Sequence, residues 1–300
     1  MRKRCKVSRK NVEGWLNDGF GQGEGIDYRP FFHVRDVPST GRSSMVFGLK
    51  TGRIHHYLSD AEYSCHLLAE FSPFVIDIRE QFALLPWDVT QQIANEIGVR
   101  HPTYPGSKTP TVMTSDLVLT ISHNSKLHNV VLSVKGEPLK PVQESRKNKR
   151  TVEKLAIEKA FWASQGVLWK LITKNQLPMT RIYNLDFLRG GLIGKNEETL
   201  PSVNQFSTYF LSVWTPQKTI NELILKTAKF FDLSMNESFF LLAKSIWTRV
   251  LPVDLDKARL HHDAPLMCKS GRGERTCWIL TLFSEPHPIV KQSLRDLQGF

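Results

Sequence analysis

The stretch "TVMTSDLVLTISHNSKLHNVVLSVKGEP", residues 111–138, contains two apolar runs bounded by Ser, Asn and His. Short runs bounded this way read as buried β-strands, here 111–120 and 129–135, with a polar turn over 122–128. Two charged residues break the pattern: Asp116 sits inside the first run and Lys135 closes the second. Ionised side chains are costly to bury unless something pairs with them or uses them. In an extended strand Ser133 and Lys135 project from one face, roughly 7 Å apart, while Val134 points to the buried side. If the two strands pair, Asp116 shares that polar face.

Working outward, "LSDAEYSCHLLAEF" (58–71) places Ala61, Cys65, Leu68 and Phe71 at helical spacing, with Ser59 as N-cap. "FVIDIREQF" (74–82) alternates, with Ile76, Ile78 and Phe82 expected on one side and Asp77, Arg79 and Gln81 on the other. Downstream, "RTVEKLAIEKAFWASQG" (150–166) is an amphipathic helix burying Leu155, Ile157, Phe161 and Trp162, with Gly166 as its stop. "VLWKLIT" (167–173) is a fourth strand. Helix, three strands, helix, strand is an α/β order. It favours antiparallel pairing among the first three strands and allows a crossover to the last.

Three hundred residues exceed the usual single domain, and the pattern breaks over 175–203 at Pro178, "RGG" (189–191) and Pro201. A boundary near 176 is expected, giving a domain of 1–175 with a basic N-terminal arm and a second of 176–300. In the latter, "KTINELILKTAKFFDLS" and "MNESFFLLAKSIWTRVL" read as consecutive helices turning at 232–234. They suit a helix-turn-helix that binds DNA, winged if "CWILTLF" (277–283) is a strand, or equally a small helical domain that binds protein.

An apolar fraction of 41% with 23% charged residues suits a folded chain, and no apolar run approaches the roughly 20 residues of a membrane helix. "MRKRCKVSRK" is basic but lacks the apolar stretch of a signal peptide. Cys5, Cys65, Cys268 and Cys277 form no C-x-x-C pair, so a reduced, cytoplasmic protein without a zinc site is expected. A net charge of +11 makes nucleic acid the leading partner.

Glu62, Asp116 and Lys135 then have a common use. Two carboxylates and the Val134 carbonyl are hard oxygen donors of the kind Mg²⁺ takes, and a neighbouring lysine can orient water or neutralise charge developing on a phosphate. Each also has a structural use. Ser59-x-x-Glu62 fits a capping box, Asp116 an edge or turn carboxylate, and Lys135 a solvated strand end.

The blocks "GFGQGEGIDYRPFFHVRDVPSTGRS" (19–43), "TGRIHHYLSDAEYSCHLLAEFSPFVIDIREQFALLP" (51–86), "HPTYPGSKTPTVMTSDLVLT" (101–120), "SVK" (133–135) and "RTVEKLAIEKAFW" (150–162), in this order, resemble the TnsA family of transposase endonuclease subunits. The resemblance covers roughly residues 19–175 and is much weaker beyond. It implies a restriction-endonuclease-like mixed sheet flanked by helices, and Mg²⁺-dependent cutting at the 5′ ends of a transposon, with Mn²⁺ as a substitute. It implies as partners transposon-end DNA, a DDE transposase subunit acting on the 3′ ends, and a AAA+ ATPase regulator. Family roles fall on Glu62 and Asp116 as metal-binding carboxylates and on Lys135 as the catalytic lysine, overriding the simple capping reading of Glu62. One position departs: Ser133 stands where such nucleases carry an acid and TnsA proteins commonly carry Gln, so its contact with a metal would run through water. Glu158 falls where relatives are acidic, and otherwise reads as a solvated helix residue.

"GFGQGEG" lacks the Lys-Ser/Thr of a phosphate loop and reads as a flexible loop near DNA. His55 and His56 read as strand or loop residues. "ESRKNKR" (144–150) and "SGRGERTC" (270–277) are basic segments suited to phosphate contact or plain solvation. A stand-alone restriction or repair nuclease and a catalytically dead DNA-binding scaffold remain as alternatives.

Overall fold

A computed structural model of the chain describes residues 7–37, 41–123, 125–137, 146–193 and 200–268. The chain divides into two compact units between Leu177 and Pro178.

The first unit is built on a four-stranded sheet in the order β3-β4-β5-β6: Val75–Ala83, Thr114–His123, Lys126–Lys135 and Leu168–Thr173. β3, β4 and β5 pair antiparallel, and β6 joins β5 in parallel across the helix α4 (Arg146–Ser164). The β4–β5 connection is tighter than the polar spacing suggests. His123 pairs with Lys126, and Ser125 takes the left-handed conformation (φ 60°) that a two-residue hairpin turn demands.

Both sheet faces are covered, which is why the strands read as near-continuous apolar runs. Val118 and Val131 pack with Ile157, Phe161 and Trp162 of α4 and with Ile93 and Ala94 of α3 (Val89–Glu96). Their alternates Leu117, Leu119 and Leu132 are equally buried, and α2 (Asp60–Phe71) lies against β3, β4 and β5. Gly166 (φ 66°) ends the turn after α4 as expected. A hairpin of β1 (Ser44–Phe47) and β2 (Ile54–Tyr57) leads into α2, and His55 and His56 are strand residues within it. α1 (Arg9–Asn17) buries Val12 against Phe31, Trp87 and Tyr104.

Two expectations fail locally. β3 does not alternate cleanly, because a bulge between Val75 and Asp77 rotates Ile76 outward, leaving it 47% exposed beside a fully buried Ile78. Asp77, Arg79 and Gln81 are buried rather than solvated, each with a partner: Asp77 Oδ2 accepts from the Gly25 N–H, and Arg79 Nη2 donates to Thr120 and Asn129. "GFGQGEG" is a packed loop, not a loose one. At Gly21 (φ 75°) a Cβ would sit 2.4 Å from Ala83 Cβ, and at Gly23 (φ 92°) 2.6 Å from the Asp27 carbonyl.

The second unit contains α5 (Met179–Leu192), α6 (Val203–Val213), α7 (Ile220–Phe231) and α8 (Met235–Trp247). Within the expected break over 175–203, the described residues thus include a helix, and α5 runs through Gly190 and Gly191. A Cβ at Gly191 would lie 2.7 Å from the Phe239 ring, so close packing on α8 uses the glycine. Ser202, Thr219 and Ser234 form capping boxes with Gln205, Glu222 and Glu237, and Asp232 (φ 53°) ends α7.

α7 and α8 do form consecutive helices, but α8 is the central one and packs against α5, α6 and α7. Within it only Met235 and Asn236 are exposed. A recognition helix needs an open face for the major groove, and α8 has none beyond its first turn. The wing reading of 277–283, the basic segment 270–277, Cys277, and residues 1–6 with Cys5 lie outside the described residues. So do 144 and 145 of the basic run before α4, and the side chains of 146 and 147. No helix among the described residues is long and apolar enough to cross a membrane.

Candidate active site

The sheet brings Glu62, Asp116 and Lys135 together. Asp116 lies near the start of β4, where Phe82 of β3 pairs with Ser115. Its Oδ2 accepts the backbone N–H of Val134 (2.6 Å) and the ammonium of Lys135 (3.2 Å), so the carboxylate bridges the ends of two strands. Lys135 Nζ also donates to the Val134 carbonyl (2.8 Å). Burial opposes the charge on Lys135, but Asp116, Glu158 and Glu62 more than offset it and raise its pKa, so the lysine stays an ammonium at neutral pH.

Glu62 sits in the first turn of α2. Its N–H donates to Ser59 Oγ as a cap should, but its carboxylate departs from the capping box. Oε1 accepts from Ser59 Oγ (2.8 Å), while Oε2 accepts the N–H of Leu58 (3.0 Å) and Gln81 Nε2 (3.3 Å). Burial first, and the charge of Asp116 second, push the Glu62 carboxyl up to about 7. Each carboxylate therefore lies within electrostatic reach of the other, and in the bare protein the helix N-terminus alone does not relieve their repulsion.

Ser133 reaches α4, its Oγ donating to Glu158 Oε2 (3.1 Å), while Ser115 Oγ donates to Glu158 Oε1 (2.7 Å). Ser115 in turn accepts the indole N–H of Trp162 (2.8 Å). Glu158 is not solvated: it is 5% exposed, and burial with the nearby Asp116 charge pushes its carboxyl up to about 7. Its spacing could have shown this, since Glu158 lies three residues after Leu155 and four before Trp162, on the helix's buried face. Two further contributors carried no comparable signal, Gln81 and Ser115.

Among the described residues no three His, Cys, Asp or Glu side chains form a ready-made metal cage. The donor set nevertheless fits Mg²⁺, which is commonly held by one or two carboxylates with water and substrate phosphate completing the octahedron. Glu62 and Asp116 supply two hard anionic donors whose mutual repulsion a divalent cation would relieve, and the Val134 carbonyl lies beside them. Stability has a matching pH signature. A carboxyl whose folded pKa is raised stabilises the fold only while protonated, so the Glu62 and Glu158 contribution is full below about 4.5 and is lost as pH rises through about 7. Added Mn²⁺ is therefore expected to raise the melting temperature more at pH 8 than at pH 6, as scanning calorimetry would read. An equal increment at both values would separate the cation from these carboxylates.

A shallow hollow lined by Glu24, Ile76, Asp77, Thr120 and Leu127 lies at the far end of β3–β5 and takes no part in this cluster.

A mixed sheet covered on both faces, with a carboxylate on one central strand and a lysine closing the next, defines a restriction-endonuclease-like domain. Residues 72–174 match the family described as TnsA-like endonuclease N terminal. Asp116, Ser133, Lys135 and Glu158 fall inside that match, and Glu62 precedes it. The chain is also 37% identical over 173 residues to the transposon Tn7 transposition protein TnsA of Escherichia coli, an alignment covering 58% of this chain and 60% of that relative. The likeness is confined to this first unit and its site, and the chain spans about 60% of the length of the curated relative it matches.

Proposed function

We propose that this chain is the Mg²⁺-dependent DNA endonuclease subunit of a multi-protein transposase, cutting at the 5′ ends of the transposon during cut-and-paste transposition. The observation that carries the reading is the Asp116–Lys135 pair, 3.2 Å apart, beside a Glu62 carboxyl that Asp116 perturbs. Glu62, Asp116 and the Val134 carbonyl would hold the cation. Mg²⁺, or Mn²⁺ in its place, supplies Lewis acidity toward a phosphoryl oxygen and a source of hydroxide at neutral pH.

The chain's own groups do the rest. The Val134 N–H fixes the rotation of the Asp116 carboxylate. Lys135, kept charged, donates toward the attacking water and the negative charge that builds on the phosphate. Glu158 is a second buried acid behind Ser133, within electrostatic reach of both Asp116 and Lys135. Ser133 serves this reading as the support of Glu158, with any contact to a cation running through water. Hydrolysis leaves a 3′-hydroxyl and a 5′-phosphate.

On this reading the chain works in the cytoplasm with transposon-end DNA, a DDE transposase subunit that cuts and joins the 3′ ends, and a AAA+ ATPase regulator. The closed α8 favours a protein-partner role for residues 178–300 over major-groove reading. The test is strand-specific end-labelling of transposon-end DNA incubated with Mg²⁺, with and without the transposase subunit. Cuts confined to the 5′-ended strand, and dependent on the partner, are expected. Site-specific cutting by the chain alone would point instead to a free-standing nuclease, and no cutting in the complete mixture to an inactive scaffold.

A further inference from the structure

Gln81 has a backbone that its strand does not need. Its φ is +47°, a left-handed conformation that a side chain with a Cβ seldom adopts and that is rarer still inside a strand. A bulge would explain it, but the β3–β4 register runs unbroken across the position: Glu80 pairs with Leu117 and Phe82 with Ser115. The pairing therefore gains nothing from the distortion. The distortion sends the Gln81 carbonyl to the N–H of Phe31 (3.2 Å) and turns the amide into the buried space beside Glu62. Gln81 is 3% exposed, and by register it lies across from Asp116.

The amide's orientation there is fixed by chemistry. With Glu62 ionised, the form that would hold a cation, Oε2 can only accept, so the NH₂ end faces it (3.3 Å), leaving Oε1 3.5 Å from Thr114 Oγ. Glu62 is thereby held from two sides, by the Leu58 and Ser59 donors of its own helix start and by an amide from β3. Without the second contact the carboxylate would be tied only to α2. Unusual backbone held in place by its surroundings, and aimed at a functional group, is where strain has a use. We propose that Gln81 is a positioning residue for Glu62: the left-handed turn in β3 aims its amide at Oε2 and fixes the carboxylate relative to Asp116. The inference rests on the metal-site reading of Glu62 and Asp116 given above.

The test compares Gln81→Gly and Gln81→Asn with the wild-type full chain. Both replacements accept φ > 0, so neither burdens the backbone. Gly lacks the amide, and Asn carries it one methylene short of Glu62. Mn²⁺ binding is followed through the paramagnetic signal of the free ion, and unfolding through the thermal midpoint of the metal-free protein. Both variants are expected to keep or raise the midpoint while binding Mn²⁺ about 10-fold more weakly, as loss of an outer partner of a metal ligand does. Wild-type Mn²⁺ affinity in both variants would overturn the assignment and leave Gln81 a residue of the turn only. Asp116→Ala is the control for the underlying reading. If it weakens Mn²⁺ binding while the Gln81 variants do not, only the positioning role fails. If it leaves binding unchanged, or the wild type binds none, the metal site falls and this inference falls with it.

Discussion

Asp116→Ala is expected to remove 5′-strand cleavage almost entirely, by well over about 100-fold, because losing even an outer partner of a metal ligand costs about 10–100-fold. The same substitution should change stability far less, because it does two opposing things. It strips the Val134 N–H of its 2.6 Å acceptor and leaves Lys135 without its carboxylate. An unsatisfied buried donor costs about 1–3 kcal/mol. It also removes the charge that helps push Glu62 up to about 7, so Glu62 moves back toward the ordinary carboxylate range and ionises without penalty from its neighbour. Asp116→Asn separates the effects. Its amide oxygen still accepts from Val134, which should restore most of the stability while restoring little cleavage. End-labelled cleavage assays alongside thermal unfolding read both quantities. Cleavage by Asp116→Asn within a few-fold of wild type would mean that the carboxylate's charge is not what the reaction uses.

Part of this site can be read from the chain because charge stands out in apolar sequence. Asp116 and Lys135 are visible as interruptions of two strands, and Ser59-x-x-Glu62 as a helix start. The strands β4 and β5, α2 and α4 are likewise legible, the strands as apolar runs covered on both faces and the helices by their period of 3.6 residues. What could not be read depends on contacts distant in sequence. The bulge at Val75–Asp77 shifts the phase of β3, and nothing in "FVIDIREQF" marks it. Gln81 looks like any polar strand residue until its φ is known. Gly190 and Gly191 read as a break in the pattern, yet α5 runs through them, with Phe239 close against Gly191. Glu158 is the intermediate case: its place on the buried face of α4 was available from spacing, but the serines that receive it come from two other strands.

Glu80 is the residue on which the wider support of the site turns, and Glu80→Ala should cost about 3–5 kcal/mol, the usual penalty for removing one partner of a buried ion pair. Its side chain is fully buried and takes four donors. Arg53 Nη1 and Nη2 lie at 2.9 and 2.7 Å, His55 Nδ1 at 2.7 Å and the His56 N–H at 3.1 Å. Burial alone would raise the Glu80 pKa, but the Arg53 and His55 bonds outweigh it and bring it down to about 2. His55 moves down as well, because burial outweighs its carboxylate partner. It is the neutral tautomer that donates from Nδ1 and accepts from Thr51 Oγ at Nε2 (2.7 Å). Both depressed values act in one direction on pH. The unfolded chain takes up protons first, so His55 stops contributing as pH falls below about 6.5, and Glu80 as it falls from about 4.3 toward 2. Alanine leaves the Arg53 guanidinium with the carbonyls of Gly25, Ile54 and Ile78 and the face of the Tyr28 ring, a buried charge without its carboxylate. At about 2–4 °C per kcal/mol, the melting temperature of the first unit should fall by on the order of 10 °C at pH 7, and its remaining slope between pH 2 and 4 should flatten. The neighbouring residue in β3 is Gln81, so loosening Glu80 should loosen the amide against Glu62 as well. A Glu80→Ala protein that melts within a degree or two of wild type would mean that the hairpin and α2 hold this strand in place without the ion pair.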